Sequence, residues 1–199
     1  IGGFDDFGAV NVIAGAADAG IYLDNAAGGS VVGNNVIGFQ PNGTLGVGNS
    51  IGIFVFNSPA NNLQYNFIGN SSSNGITLSG AASSGNILQH NTIGVGYELA
   101  PAANAGAGVG VIFAAHDNTI GAMLTGTGGG NLIVDNVGQG VWISNSGGGG
   151  NRVLVNEMTG NGGIDIDLAA AGASPNQPLN PDTGPNRMQN HPVLTSATR

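Results

Sequence analysis

Gly75-Ile76-Thr77-Leu78 and Asn91-Thr92-Ile93-Gly94 decide the fold, because both phrases recur along the chain. The Asn-x-Ile-Gly phrase returns as Asn35-Val36-Ile37-Gly38, Asn66-Phe67-Ile68-Gly69 and Asn118-Thr119-Ile120-Gly121. The other phrase, a glycine followed by apolar, variable and apolar residues, also starts at Gly20, Gly52, Gly110, Gly140 and Gly163. These glycines are 32, 23, 35, 30 and 23 residues apart. A short, uneven period predicts a solenoid, in which each repeat buries its apolar residues by stacking on its neighbours.

The repeats have the pattern of strands. Apolar residues alternate with period two in the glycine phrase, as at Ile76 and Leu78, which places both side chains on one face. Helix formers are scarce, since the chain has no lysine, two glutamates and 38 glycines. The repeat that starts at Gly140 divides into Val141 to Ser144, Asn151 to Val155 and Glu157 to Thr159. Three short strands per turn, with glycine and asparagine corners, predict an all-β parallel β-helix.

Composition limits the classes of function. Repeats that continue to about Leu168 in a chain of 199 residues favour a single domain. No run of 18 apolar residues occurs, so no membrane insertion is expected. Three arginines against eleven carboxylates give a net charge of −8, which argues against nucleic acid as a partner. The absence of cysteine suits an extracellular bacterial scaffold.

The segment after the last repeat resembles the end of the right-handed β-helix region in large secreted or surface-anchored bacterial repeat proteins. The resemblance lies in Gly163-Ile164-Asp165-Ile166-Asp167-Leu168, Asp182-Thr183-Gly184-Pro185-Asn186 and Gln189-Asn190-His191-Pro192-Val193-Leu194. The repeat phrases match the same family. Gln177 and Asn180 depart from it, because carboxylates are common at those positions.

The resemblance implies a right-handed, single-stranded coil over residues 1–168 and an irregular capping segment over 169–191. Residues 192–199 would then begin a linker or a following domain. It also implies that the protein is secreted or displayed on the cell surface, and it points to display more than to any reaction.

The variable position of the glycine phrase should point away from the coil interior. The expected outward column is Tyr22, Phe54, Thr77, Ile112, Trp142 and Asp165. With strands about 4.8 Å apart, the first five would form a nearly continuous apolar and aromatic stripe. Three alternatives follow: the same chain covers the stripe, it binds another protein surface or a second copy, or it binds a glycan.

A calcium site is the one cofactor hypothesis that the sequence supports. Asp165 and Asp167 lie two residues apart, and Asn176 and Asp182 follow in a Pro-rich segment. Carboxylate and amide oxygens are calcium ligands, and a bound ion would neutralise the acids while fixing the cap. The alternative is that these are ordinary turn residues, which bond to nearby backbone.

Catalysis has weaker support. His116 and Asp117 are adjacent, and neighbouring side chains on a strand point to opposite faces, so we do not expect them to act together. A polysaccharide hydrolase of this fold needs two carboxylates at a defined separation, and Asp165 with Asp167 is the only nearby pair. His90, which precedes Asn91, is expected at a corner that faces solvent.

The sequence therefore predicts a non-catalytic structural or adhesive rod. Unpaired strand edges at the two coil ends would allow head-to-tail assembly into filaments. A carbohydrate-binding or polysaccharide-cleaving module that uses the stripe and the C-terminal carboxylates is the alternative.

Overall fold

A computed structural model describes residues 1–3, 10–40, 46–96, 100–122, 129–169, 172 and 184–188. Within these ranges the chain forms strands, turns and one short 3₁₀ helix, Pro185–Met188, and no helix is long and apolar enough to cross a membrane. The strands are β1 Asn11–Ile13, β2 Ala19–Asp24, β3 Val31–Gly33, β4 Asn35–Ile37, β5 Ile51–Phe56, β6 Asn62–Gln64, β7 Phe67–Ile68, β8 Ile76–Ser79, β9 Ile87–Gln89, β10 Thr92–Ile93, β11 Val109–Ile112, β12 Thr119–Gly121, β13 Leu132–Val134, β14 Val141–Ser144, β15 Arg152–Leu154, β16 Glu157–Thr159 and β17 Ile166–Ala169.

The strands form three parallel sheets that the chain visits in rotation. Sheet A contains β1, β4, β7, β10, β13 and β16; sheet B contains β2, β5, β8, β11, β14 and β17; sheet C contains β3, β6, β9, β12 and β15. Each strand pairs with the strand one turn away, as in Ile37 beside Ile68. The fold is the right-handed parallel β-helix that the sequence predicts, with about three strands per turn. We call one turn a rung.

The coil interior is a stack of fully buried aliphatic columns. Sheet A supplies Ile37, Ile68, Ile93 and Ile133; sheet B supplies Ile53, Ile76, Val109 and Val141; sheet C supplies Val32, Leu63, Leu88 and Ile120. Burying a side chain of this size contributes about 1.5–3 kcal/mol. The columns hold because the side chains of each strand alternate between the interior and the outer surface.

Asparagine ladders run along the three corners, parallel to the coil axis. The ladder between sheets C and A, the CA ladder, comprises Asn11, Asn35, Asn66, Asn91, Asn131 and Asn156. In it, each Nδ2 donates to the Oδ1 of the next asparagine at 2.8–2.9 Å. The BC ladder, between sheets B and C, comprises Asn61, Asn86, Asn118 and Asn151.

The AB ladder, between sheets A and B, is interrupted. Asn104, Asn136 and Asn161 are linked as in the other ladders, and Asn49 accepts from the Ala16 amide of the preceding rung. Ser71 takes the place between Asn49 and Asn104, because its backbone N–H donates to Asn104 Oδ1. The Ser71 hydroxyl is buried, and no described residue hydrogen-bonds to it.

The AB ladder explains the glycines of the repeated phrase. A Cβ at Gly75 would come within 2.9 Å of Asn104 Nδ2 and 2.7 Å of Ile93 Cγ2. Gly108 has the same relation to Asn136 and Ile133 one rung later. These glycines therefore occur where the ladder and the sheet A isoleucines leave no space for a side chain.

Candidate functional site

The outward column of sheet B begins as the sequence predicts and departs from the prediction in its fourth and sixth rungs. The backbone register pairs Tyr22 with Phe54, Phe54 with Thr77, Thr77 with Gly110, Gly110 with Trp142, and Trp142 with Asp167. The predicted Ile112 was wrong, because Ile112 pairs with Ser79 in the neighbouring outward column. Asp165 was also wrong: it precedes β17, and its carbonyl accepts from the Val141 amide.

Overlapping phrases caused both errors. Gly108-Val109-Gly110-Val111 and Gly110-Val111-Ile112-Phe113 both have the required pattern, and a shift of two preserves which side chains face inward. The structure selects the first, since Phe113 has φ 49° and is 64% exposed, outside the strand. In the last rung Asp165 takes the position that Gly140 has one rung earlier, because Ile166 pairs with Val141.

The N-terminal part of the column carries a group of aromatic rings, of which Tyr22 is exposed and Phe54 and Phe56 are half-buried. The Tyr22 and Phe54 rings stack with centroids 4.9 Å apart and an interplanar angle of 17°. Phe56 adds a third ring, tilted by 42° at 6.2 Å from Phe54. We call Tyr22, Phe54 and Phe56 the aromatic patch. Phe56 was missed by the sequence argument, although its position two residues after Phe54 gives it the same outward direction.

The middle of the column interrupts the predicted stripe. Thr77 is only 2% exposed, and Gly110 has no side chain. Asn74 lies over both positions: its Nδ2 donates to Thr77 Oγ1 at 3.1 Å, and a Cβ at Gly110 would be 2.5 Å from that nitrogen. The Asn74 Oδ1 accepts from the Ala107 amide. A continuous aromatic face is therefore absent from this described part of sheet B.

The C-terminal part of the column is bonded to the last residue of β17 and to Gly172. Trp142 Nε1 donates to the Ala169 carbonyl oxygen at 2.9 Å. Asp167 is 3% exposed, and its Oδ2 accepts from Gln139 Nε2 at 3.1 Å and from the Gly172 amide at 2.9 Å. Trp142 and Asp167, at this end of the column, therefore have hydrogen-bond partners within their own chain.

The four residues proposed for calcium are only partly described. Asp165 is exposed and accepts from Asn161 Nδ2 at 3.0 Å, whereas Asp167 is buried with the two partners given above. Asn176 and Asp182 lie outside the described residues, as do residues 192–199. Within the described ranges, no three His, Cys, Asp or Glu side chains are grouped as a metal site requires. The calcium site stays a prediction.

His116 and Asp117 do contact each other, and the expectation that their side chains diverge was wrong. His116 Nδ1 lies 2.8 Å from Asp117 Oδ2, with both side chains exposed. Asp117 has φ 52°, so the pair occupies a corner where the alternation of a strand does not apply. An oriented imidazole is one element of a catalytic centre, but catalysis also needs a positioned reacting group.

Tyr65 and His90 form a second stack at the corner between sheets C and A. Their ring centroids are 4.5 Å apart and nearly parallel, and both residues have positive φ. His90 lies at a corner, as the sequence predicts, although its side chain is half-buried against Tyr65 and does not face solvent freely.

The aromatic patch lies in a negative field. Asp24 is on the same face of β2 as Tyr22 and pairs with Phe56 across the strands. The pKa of the Tyr22 phenol is raised above its ordinary value of 10.0, first by partial loss of water and then by the charges of Asp24 and Asp18. Tyr22 itself is 44% exposed, so the two carboxylates act through water at the surface.

No family model, curated protein or solved structure matches this chain.

Proposed function

We propose that this chain is a non-catalytic structural segment of a secreted or surface-displayed bacterial protein. It would act as a stiff β-helical rod whose outer faces are presented to partners. The family resemblance supports the location and the role. The observation that carries the proposal is the set of hydrogen-bonded ladders, which link rungs along all three corners with one interruption, at Ser71.

Stiffness follows from the way these contacts repeat. Backbone bonds join each strand to the next rung, as from the Thr92 amide to the Asn66 carbonyl. The side chain of Asn66 donates forward to Asn91 and back to the Val32 carbonyl, so one residue spans three rungs. Bending the coil would lengthen many such bonds together, and each contributes about 1 kcal/mol.

Self-association through the coil ends is the assembly that we propose for this rod. The CA ladder has a direction, since each Nδ2 donates toward the C-terminal rung. Among the described residues, Asn11 Oδ1 has no donor at one end of the ladder, and Asn156 Nδ2 donates only to the Ile120 carbonyl at the other, which leaves one N–H. A second copy placed head to tail would continue the ladder, and a repeated contact of that kind makes a filament.

The C-terminal end of the coil also presents apolar surface. Ile166 lies in line with the buried Val141, yet it is 43% exposed. A cavity of about 930 Å³ at this end is lined partly by Ile143, Val153 and Leu168. Among the described residues no strand pairs with the C-terminal edge of β17, and apolar surface at such an edge favours association with another copy.

Size and shape in solution test this assembly. Light scattering and negative-stain electron microscopy across a concentration range should show rods that lengthen as concentration rises. Ile166→Asp should abolish that growth, because it places a charge in the stacking surface. Val137→Asp is the matched control, since Val137 is 63% exposed and the next rung, at Gly162, already covers this corner. A monomer at every concentration, or equal growth in both variants, would contradict head-to-tail assembly.

A further inference from the structure

The aromatic patch and Asp24 form a compact outward grid on β2 and β5. Tyr22 pairs with Phe54 and Asp24 pairs with Phe56, so the four side chains occupy two neighbouring columns. Neighbouring strands lie about 4.8 Å apart and alternate residues about 6.8 Å apart. Three rings and one carboxylate are therefore within reach of a single bound group.

The negative charge of this grid is not balanced by a described cation. Asp18 and Asp24 are both exposed, and the ion-pair contact among the described residues is His116 with Asp117, elsewhere on the coil. Asp24 Oδ1 accepts from Asn25 Nδ2 at 2.6 Å, which leaves its other carboxylate oxygen for a ligand. The whole chain has no lysine and a net charge of −8.

We propose that this grid is a docking site for a guanidinium group on a basic segment of a partner protein. An arginine side chain matches both components, because its plane stacks on aromatic rings and its fork of N–H donors fits a carboxylate. Lysine would keep the charge but lose the planar stacking. This inference rests on the proposed function, in which the rod presents its outer faces to partners. Peptide binding is measured separately from filament growth, so either proposal can fail without the other.

A glycan is the competing ligand for exposed aromatic rings. Sugar hydroxyls use both donors and acceptors, and the donors at the grid are the Tyr22 hydroxyl and Asn25 Nδ2, one hydrogen of which already bonds to Asp24. The charges of Asp24 and Asp18, which no described cation balances, favour a cation over a neutral sugar.

The test is binding of a labelled peptide of alternating arginine and glycine, followed by fluorescence anisotropy at low salt. We expect Asp24→Asn to weaken binding about tenfold or more, as for loss of a charge-assisted bond. Asp135→Asn is the matched control, because Asp135 is exposed and the substitution changes net charge equally. It should change affinity less than about twofold, as screened distant charges do. Equal losses in the two variants would overturn the proposal.

The aromatic component has its own pair of variants. Phe54→Leu should weaken binding of the arginine peptide severalfold and bring it close to that of a lysine–glycine peptide, because cation–π stacking is lost. Phe113→Leu removes an exposed ring that lies outside the grid and should leave binding unchanged. Circular dichroism checks that each variant folds. A lysine peptide that binds wild type as tightly as the arginine peptide, or a glucan hexamer that displaces it, would overturn the proposal.

The Tyr22 phenol gives a direct report from the site. Partial loss of water, and then the charges of Asp24 and Asp18, raise its pKa, whereas a guanidinium beside the phenol would favour the phenolate. Saturating arginine peptide should therefore lower the pKa seen as phenolate absorbance, and Tyr22→Phe should remove that component. The peptide keeps its charge there, since arginine titrates above about 12. An unchanged Tyr22 titration with peptide bound would contradict docking at this grid.

Discussion

The CA ladder is continuous through six asparagines, whereas the AB ladder is interrupted at Ser71. Every internal amide of the CA ladder has its oxygen and nitrogen in hydrogen bonds, as Asn91 does with Asn66, Leu63 and Asn131. At Ser71 the hydroxyl is too short to reach the rung before it and lies buried without a described partner. The coil keeps its strand register across this gap, which teaches that the backbone ladders set the fold while the asparagines add stability.

The largest effect should come from breaking the continuous ladder at its centre. Asn91→Ala removes an acceptor that serves both the N–H and the Nδ2 of Asn66, and both donors are buried. An unmet buried donor costs about 1–3 kcal/mol, so the free energy of unfolding should fall by about 3 kcal/mol or more. Urea denaturation measures the free energy of unfolding of Asn91→Ala and of a control, Asn145→Ala, at an exposed position. Equal losses of stability in the two variants would contradict a role for the ladder.

The next effect should come from the glycine beside the AB ladder. A Cβ at Gly108 would collide with Ile133 Cγ2 and lie 3.0 Å from Asn136 Nδ2, so Gly108→Ala should destabilise by about 1–3 kcal/mol. Gly149 has no heavy atom near its would-be Cβ, and Gly149→Ala should change stability by less than about 0.5 kcal/mol. Thermal unfolding measures both. If Gly108→Ala unfolds with wild-type stability, steric exclusion by Ile133 and Asn136 does not explain why this position is glycine.

A smaller gain should follow from mending the interruption. Ser71→Asn would place an amide between Asn49 and Asn104. The neighbouring Gly52 has no side chain and leaves space for that amide, as Gly75 does for Asn104. The new hydrogen bonds should raise the free energy of unfolding by about 1 kcal/mol. Ser71→Ala is the control and should be nearly neutral, because the hydroxyl has no described partner. A loss of stability in Ser71→Asn would show that the corner cannot hold an asparagine.

The smallest effect should appear at the exposed end of the CA ladder. Asn11 is exposed and donates through Nδ2 to Asn35 Oδ1 at 2.9 Å. Asn11→Ala should therefore cost only about 0.5 kcal/mol, because water can replace the lost partner. Chemical denaturation compares it with Asn91→Ala. Similar losses at the two positions would mean that burial does not govern what each asparagine contributes.

The sequence predicted most of the fold, since buried alternation and turn residues are local signals. Val141 to Ser144 and Glu157 to Thr159 were predicted as strands and are confirmed as β14 and β16. Register was harder, because Gly108 and Gly110 both begin acceptable phrases. The glycine that begins each phrase is required only where a sheet A side chain of the next rung occupies the position that its Cβ would take. Met158 occupies that position at Gly140. Asp165 has no such described neighbour, so the signal disappeared in that rung.

The outer surface was less predictable than the interior. Asn74 lies over Gly110 from a neighbouring rung, and a period-two pattern does not report contacts between rungs. The contact of His116 with Asp117 depends on a positive φ at the corner, which the sequence argument had treated as strand. The Tyr22 and Phe54 pair was predicted because both lie in rungs whose register was unambiguous.

The central claim is that hydrogen-bonded ladders hold the corners of the rod. Hydrogen exchange of side-chain amides, followed by nuclear magnetic resonance, tests it without any substitution. The Nδ2 protons of Asn66, Asn91 and Asn131 should exchange as slowly as the backbone amides of the core strands, because they are buried and bonded. The Nδ2 protons of the exposed Asn145 should exchange at the rate of a free amide. If the ladder amides exchange as fast as Asn145, the ladders do not hold the coil and the account is contradicted.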